Sequence, residues 1–236
     1  MLTAAVRDLH RCQPGRFVTD VRTPCPELWE NNPFLTPMRE DDPSVATMDC
    51  HYPLIQRSNQ APFHFLHGFT RFLSERLRLP IVPTEFRGDI HLRQAEMSSD
   101  LSAFGLQPSA LPYWLLVAGG KSDFTIKWWA PDRWQAVVDH FQGKIQFAQV
   151  GAAEHHHPAL SGVIDLRGKT SLRDLIRLVY HSQGVLTPVS LLMHLAAAVP
   201  LRPSSLDSRP KPSPLRPCVV VAGGREPAHW EAYPGH

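Results

Sequence analysis

Residues 149–160 read QVGAAEHHHPAL, a carboxylate and three imidazoles behind an apolar run. Those residue types support two chemistries. Imidazoles ligate metals, whereas a carboxylate accepts paired hydrogen bonds such as those of vicinal sugar hydroxyls. Adjacent side chains point in different directions on either a helix or a strand, so His155, His156 and His157 are poorly placed to hold one ion together. No Cys or His spacing elsewhere supplies the rest of a tetrahedral set. The expected chemistry is therefore at Glu154, with no metal, and a metal hydrolase built on the histidine run is kept only for contrast.

Three further stretches carry candidate chemistry. In GGKSDFTIKWWAPDRW (119–134), Gly119 and Gly120 end an apolar run, and Lys121 and Lys127 bracket a polar loop before a helix. Backbone amides, a helix start and lysines make an anion site suited to phosphate. The same spacing also fits a tight turn with solvated lysines. RGKTS (167–171) is not a triphosphate-binding loop, because Gly162 lies one residue too far from Gly168 for G-x-x-x-x-G-K-[ST]. Thr170 or Ser171 is instead expected to cap the following helix. In TPVSLLMHLAAAV (187–199), Ser190 stands at a helix start with His194 four residues on. Both could face a ligand, or His194 could simply pack.

The elements that must position these residues follow from hydrophobic rhythm. Residues 1–13 predict a helix, 16–21 a strand, and 61–79 an amphipathic helix, with a short helix and turn in CPELWENNPFLTP. His64 and His67 read as packed or surface histidines. From residue 112 onward, short apolar strands (YWLLVAGG, 144–151, 162–166, 184–189 and 218–224) alternate with helices at 130–143, 171–182 and 190–199. That alternation predicts βαβ units and a parallel sheet, with ligands beyond the carboxyl ends of the strands. The loops 119–127, 151–157, 167–170, 187–194 and 223–236 are thus the site candidates. FGLQPSALP (104–112) is the expected hinge between two lobes, and both chain ends read as cut.

Composition narrows the function classes. The 236 residues are 43% hydrophobic and 19% charged, enough for a packed core, with a formal net charge of only +2. That balance speaks against a nucleic-acid-binding face. Cys12, Cys25, Cys50 and Cys218 form no zinc or disulfide pattern and are expected as free thiols. The start lacks a signal-peptide pattern and no run of roughly 18 apolar residues exists. A soluble cytoplasmic protein without a transmembrane segment is expected.

Four stretches in this order, IKWWAPDRWQAVVDHF, QVGAAE, DLRGKTSLRDLIRLV and LMHLAAAV, resemble the family 9 glycosyltransferases, the ADP-heptose:lipopolysaccharide heptosyltransferases. MLTAAVRDLHRCQPGRFVTDV looks like that family's first helix and second strand. The resemblance implies an α/β, GT-B-like fold of two Rossmann-like lobes with parallel sheets. The acceptor-side lobe would span 1–108 and lack its first strand; the nucleotide-sugar lobe would span 109–236. It implies a nucleotide-sugar site of Gly120, Lys121, Lys127, Glu154, Thr170, Ser190 and His194. Lys127 would neutralise the diphosphate, Glu154 would hold the ribose, and the 168–170 turn would border the adenine. Ser190 and His194 match polar positions of the family's D-[ST]-G-x-x-H motif.

What the resemblance implies for activity is transfer of a heptose-type sugar from an ADP-sugar donor, inverting and without a metal or other cofactor. The acceptor would be a lipopolysaccharide-core-like glycan or a protein, which leaves room for peripheral membrane contact. Two departures stand out: Val189 replaces the motif's Asp, and Leu191 replaces its Gly. A bulky residue there restricts backbone approach to a phosphate. The family's general base, an Asp in a G-D turn, would lie upstream of Met1. An inverting transfer needs that base. The alternative expectation is therefore a catalytically impaired nucleotide-sugar-binding or assembly module.

Overall fold

The computed structural model describes residues 1–50, 63–98, 100–106, 111–202, 216–223, 229, 232–234 and 236. The chain divides into two compact units: Met1–His91 with Pro227–Ala232, and Leu92–Glu226 with Tyr233–His236.

In the first unit, helix α1 (Leu2–Cys12) turns Ala5 and Leu9 towards Leu73 of helix α2 (Phe65–Leu77) and towards Ile81. α1 also buries a charged pair, Arg7 Nε donating to Asp8 Oδ1 at 2.9 Å. Arg7 spends its other nitrogens on the carbonyls of Glu85 (2.8 Å) and Arg87 (3.0 Å), and Thr84 donates to Asp8. A buried charge is tolerated only when satisfied in this way. CPELW forms a 3-10 turn, Pro26–Trp29. The strand expected at 16–21 is reduced to one parallel bridge, Thr19 with Leu35. Asp20 is the reason: its carboxylate takes the amides of Val21 and Met38, replacing a ladder by local side-chain bonds. Among the described residues this unit has no sheet.

The second unit is the expected alternating α/β layer. Strands β1 (Tyr113–Leu116), β2 (Gln146–Gln149), β3 (Ile164–Asp165), β4 (Gly184–Pro188) and β5 (Cys218–Val221) form one sheet in the order β3-β2-β1-β4-β5, every pairing parallel. Helices α3 (Pro131–His140), α4 (Leu172–His181) and α5 (Leu191–Ala198) lie between them in the chain. β1 is central with β4 beside it, and Leu115, Leu116, Val185 and Leu186 are buried, as continuous apolar runs require. α3 covers β1 and β2 with Trp134 and Val138 against Leu116 and Phe147. Pro131 starts it and Gly143, at φ +75°, turns the chain back into β2.

Two details set the scaffold around the strand ends. Of the two candidate caps of α4, it is Ser171 that closes the helix, in a reciprocal box with Asp174. Arg216, 1% exposed, donates to the carbonyls of Tyr180, Ser182, Ala196, Val199 and Pro200 at 3.2–3.4 Å. It gathers the carboxyl ends of α4 and α5, where helix dipoles favour a cation.

The boundary between the units lies ahead of the 104–112 segment, of which 107–110 fall outside the described residues. Residues 92–106 belong to the second unit because they pack on α4. Glu96 receives Arg173 through two hydrogen bonds, Arg177 donates to the Asp100 carbonyl, and His181 reaches the Glu96 carbonyl. Most of the Pro/Ser-rich stretch at 200–217 and of the terminal segment at 224–236 likewise lies outside the described residues.

Candidate functional site

A cavity of about 430 Å³ opens beyond the carboxyl ends of β1, β2 and β4 in the second unit. It sits where an open parallel sheet places its ligand. Loops after all three strands contribute, and so do the starts of α4 and α5.

One wall is built by the loops after β1 and β2, which are fastened together. Gly120 N–H donates to the His156 carbonyl at 2.8 Å, and His156 N–H returns to the Gly120 carbonyl at 3.0 Å. The close approach explains the first glycine of the pair. A Cβ on Gly119, whose φ is +102°, would stand 2.2 Å from the His156 carbonyl oxygen. No other residue type fits there without moving the clasp. His156 stacks on Trp128 with ring centroids 4.5 Å apart. His157 Nδ1–H donates to the Ala118 carbonyl at 3.0 Å, which fixes the tautomer, and its other edge lies against Gly151. Burial holds the His157 imidazole below its ordinary pKa. Arg167, paired with Asp165, donates to the His157 carbonyl and ties the next turn to the same clasp.

The alternation of this bridged segment decides what the histidines do. His155 and His157 line the cavity, whereas His156 turns to Trp128. Among the described residues no group of three or more His, Cys, Asp or Glu side chains converges as metal ligands would. Gly120, Lys121, Lys127 and Thr170 all line the cavity.

The other wall is apolar. Leu172 and Leu175 of α4 and Val189, Leu191 and Leu192 around the start of α5 form it. Ser190 lines this wall too, but its hydroxyl is engaged within the turn. It accepts Leu192 N–H at 3.2 Å and lies 2.8 Å from Thr187 Oγ1, whose proton goes to the Pro188 carbonyl. Ser190 is thus the N-cap of α5. Leu191 stays 47% exposed at the mouth.

Two expected residues are placed elsewhere. The Glu154 side chain is 74% exposed on the turn after β2 and does not line the cavity; its nearest partner is His155 Nε2 at 3.9 Å. Glu154 lies in a turn closed by His155 N–H on the Ala152 carbonyl at 3.2 Å, and the inward positions on either side of the bridged His156 are 155 and 157. His194 lies a turn inside α5, where its Nδ1 is 3.0 Å from the hydroxyl of buried Tyr233. The inward residues that sequence reasoning passes over, His155, His157 and Trp128, have a usable signal. They lie in the loops after β1 and β2, where an open parallel sheet places its ligand.

Residues 70–206 match the sequence profile of glycosyltransferase family 9 (heptosyltransferase). The chain belongs to this family. Three solved structures are similar to it. The ADP-heptose LPS heptosyltransferase II of E. coli shares 16% identity over 71% of this chain and 50% of its own, with a TM-score of 0.49. A family 9 glycosyl transferase of Veillonella parvula shares 15% over 67% and 49%, with a TM-score of 0.47. TibC, an iron-containing dodecameric glycosyltransferase of enterotoxigenic E. coli, shares 16% over 73% and 38%, with a TM-score of 0.48. This family 9 chain therefore spans about half the length of the first of these. No curated protein matches it. No helix among its described residues is long and apolar enough to cross a membrane.

Proposed function

We propose that the second unit is the donor-binding half of a glycosyltransferase that takes an ADP-activated, heptose-type sugar and transfers it to a lipopolysaccharide-core-like glycan or a protein side chain. The carrying observation is the cavity itself, a cationic wall facing an apolar one at the carboxyl ends of parallel strands, within the family-matched segment. A nucleoside diphosphate sugar has that division: a doubly charged pyrophosphate beside a flat, largely apolar base. Lys121 and Lys127 are the groups that would neutralise the pyrophosphate, and Thr170 with the α4 leucines would border the base. Lysines acting as the counter-charge make a divalent ion unnecessary for donor binding, in keeping with metal-independent, inverting transfer. The acceptor would come from outside this cavity, at a cytoplasmic membrane face or in solution.

Titration calorimetry with ADP and an ADP-sugar tests this reading. Lys127→Ala should weaken binding by about 1.5–3 kcal/mol, the loss expected of a charged hydrogen bond. Parent protein that binds neither nucleotide, or a variant that binds as well as the parent, would overturn it.

A second reading has its own observation. Val189 and exposed Leu191 line the cavity where the resemblance implies Asp and Gly, which favours a nucleotide-sugar-binding or assembly module impaired in transfer. Sugar transfer to a glycan acceptor, measured with a radiolabelled ADP-sugar, would exclude it.

A further inference from the structure

Of the three consecutive histidines, two are committed to the clasp. His156 is stacked on Trp128, and both edges of His157 are taken, by the Ala118 carbonyl and by Gly151. His155 differs. It lines the cavity, its side chain is 27% exposed, and the polar group beside its ring is the Glu154 carboxylate, 3.9 Å from Nε2. The His157 ring centroid lies 6.1 Å away. Lys121 and Lys127 line the same cavity from the loop after β1. From α4 and α5 only uncharged residues line it: Leu172, Leu175, Leu191 and Leu192, with Thr170, Ser171 and Ser190 ahead of them. Asp174, the carboxylate in the first turn of α4, is held by Ser171.

We propose that His155 is a third, titratable cation of this cavity: its imidazolium contacts the diphosphate of a nucleotide sugar beside Lys121 and Lys127, so that donor affinity rises as the pH falls through neutrality. This rests on the nucleotide-sugar reading given above. Histidine is the side chain that gains charge in that interval, and an anion bound against it favours the charged form. His157 cannot produce the same dependence. Its protonation would place a proton at the Gly151 edge, where no acceptor is found among the described residues, and would weaken the clasp rather than the ligand contact.

The test is calorimetric titration of the full chain with ADP-glucose, whose two phosphates are both esterified and keep their charge over this interval. Between about pH 8 and about pH 6 the parent should bind about tenfold more tightly at the lower pH. His155→Asn should bind weakly with no slope, and His155→Lys, a permanent cation, tightly with no slope. Lys127→Ala should be weaker throughout yet retain the slope. If His155→Asn keeps the parent's slope, or if His157→Asn abolishes it, the assignment to His155 fails while the donor site stands. If the parent binds ADP-glucose at no pH, both fail together.

Discussion

The two walls of the cavity are made by different kinds of physics. On the side of the β1 and β2 loops, position is set by backbone hydrogen bonds and glycine geometry: Gly119 and Gly151 let the loops approach within contact of one another. On the side of α4 and α5, position is set by helix caps at one end and Arg216 at the other, with leucines filling the space between. The first wall tolerates almost no added atom but carries charge. The second is apolar and carries none. Under the proposed donor-binding reading, the anion falls to the cationic side and the flat, largely apolar base to the other.

The comparison can be broken most severely at the clasp. Gly119→Ala adds a methyl at 2.2 Å from a carbonyl oxygen in a left-handed backbone conformation, and should cost about 3 kcal/mol or more in urea unfolding. Nucleotide binding should be lost with it. The apolar wall has its counterpart in Arg216→Met, which leaves buried carbonyls of α4 and α5 without their donor. A loss of about 2–3 kcal/mol is expected in the same measurement, with the cationic wall intact. The contrast sharpens at Leu191→Gly: removing the side chain at the mouth should tighten nucleotide-sugar binding several-fold. Stability should fall by only about 0.5–1 kcal/mol, the helix cost of glycine.

The smallest effect concerns acid. His157 is held below the ordinary imidazole value of 6.5, chiefly by burial, so the fold favours its neutral form. Its contribution is complete above that pH and declines as the pH falls through the imidazole range. His157→Asn keeps a donor for the Ala118 carbonyl and removes the titration. Thermal unfolding between neutral and mildly acidic pH should then show a shallower acid loss than in the parent.

Much of the second unit is legible in the order of its residues. The runs YWLL and GVLTP are buried strands because they are apolar on both faces, and Ser171 caps its helix because Asp174 stands three residues on. Lys121, Lys127 and Thr170 can be picked out because they follow strand ends, the positions an open parallel sheet offers to ligands. The 16–21 stretch misleads because alternation records a half-buried face but not whether a partner strand exists, and Asp20 has a local alternative. Glu154 stands out from its neighbours by chemistry alone, which carries no trace of the turn that holds it in solvent.

By itself, the sequence determined the element types and their order in the second unit, the family and the loops from which a site could be drawn. These are properties of nearest neighbours and of period, which an isolated chain already contains. Only the tertiary structure decided which side of each loop faces the cavity. At the clasp that depends on two hydrogen bonds between Gly120 and His156, residues thirty-six positions apart, on either side of which His155 and His157 line the cavity. Glu154 itself sits in a turn closed by His155 N–H donating to the Ala152 carbonyl at 3.2 Å, so its exposure follows from that turn.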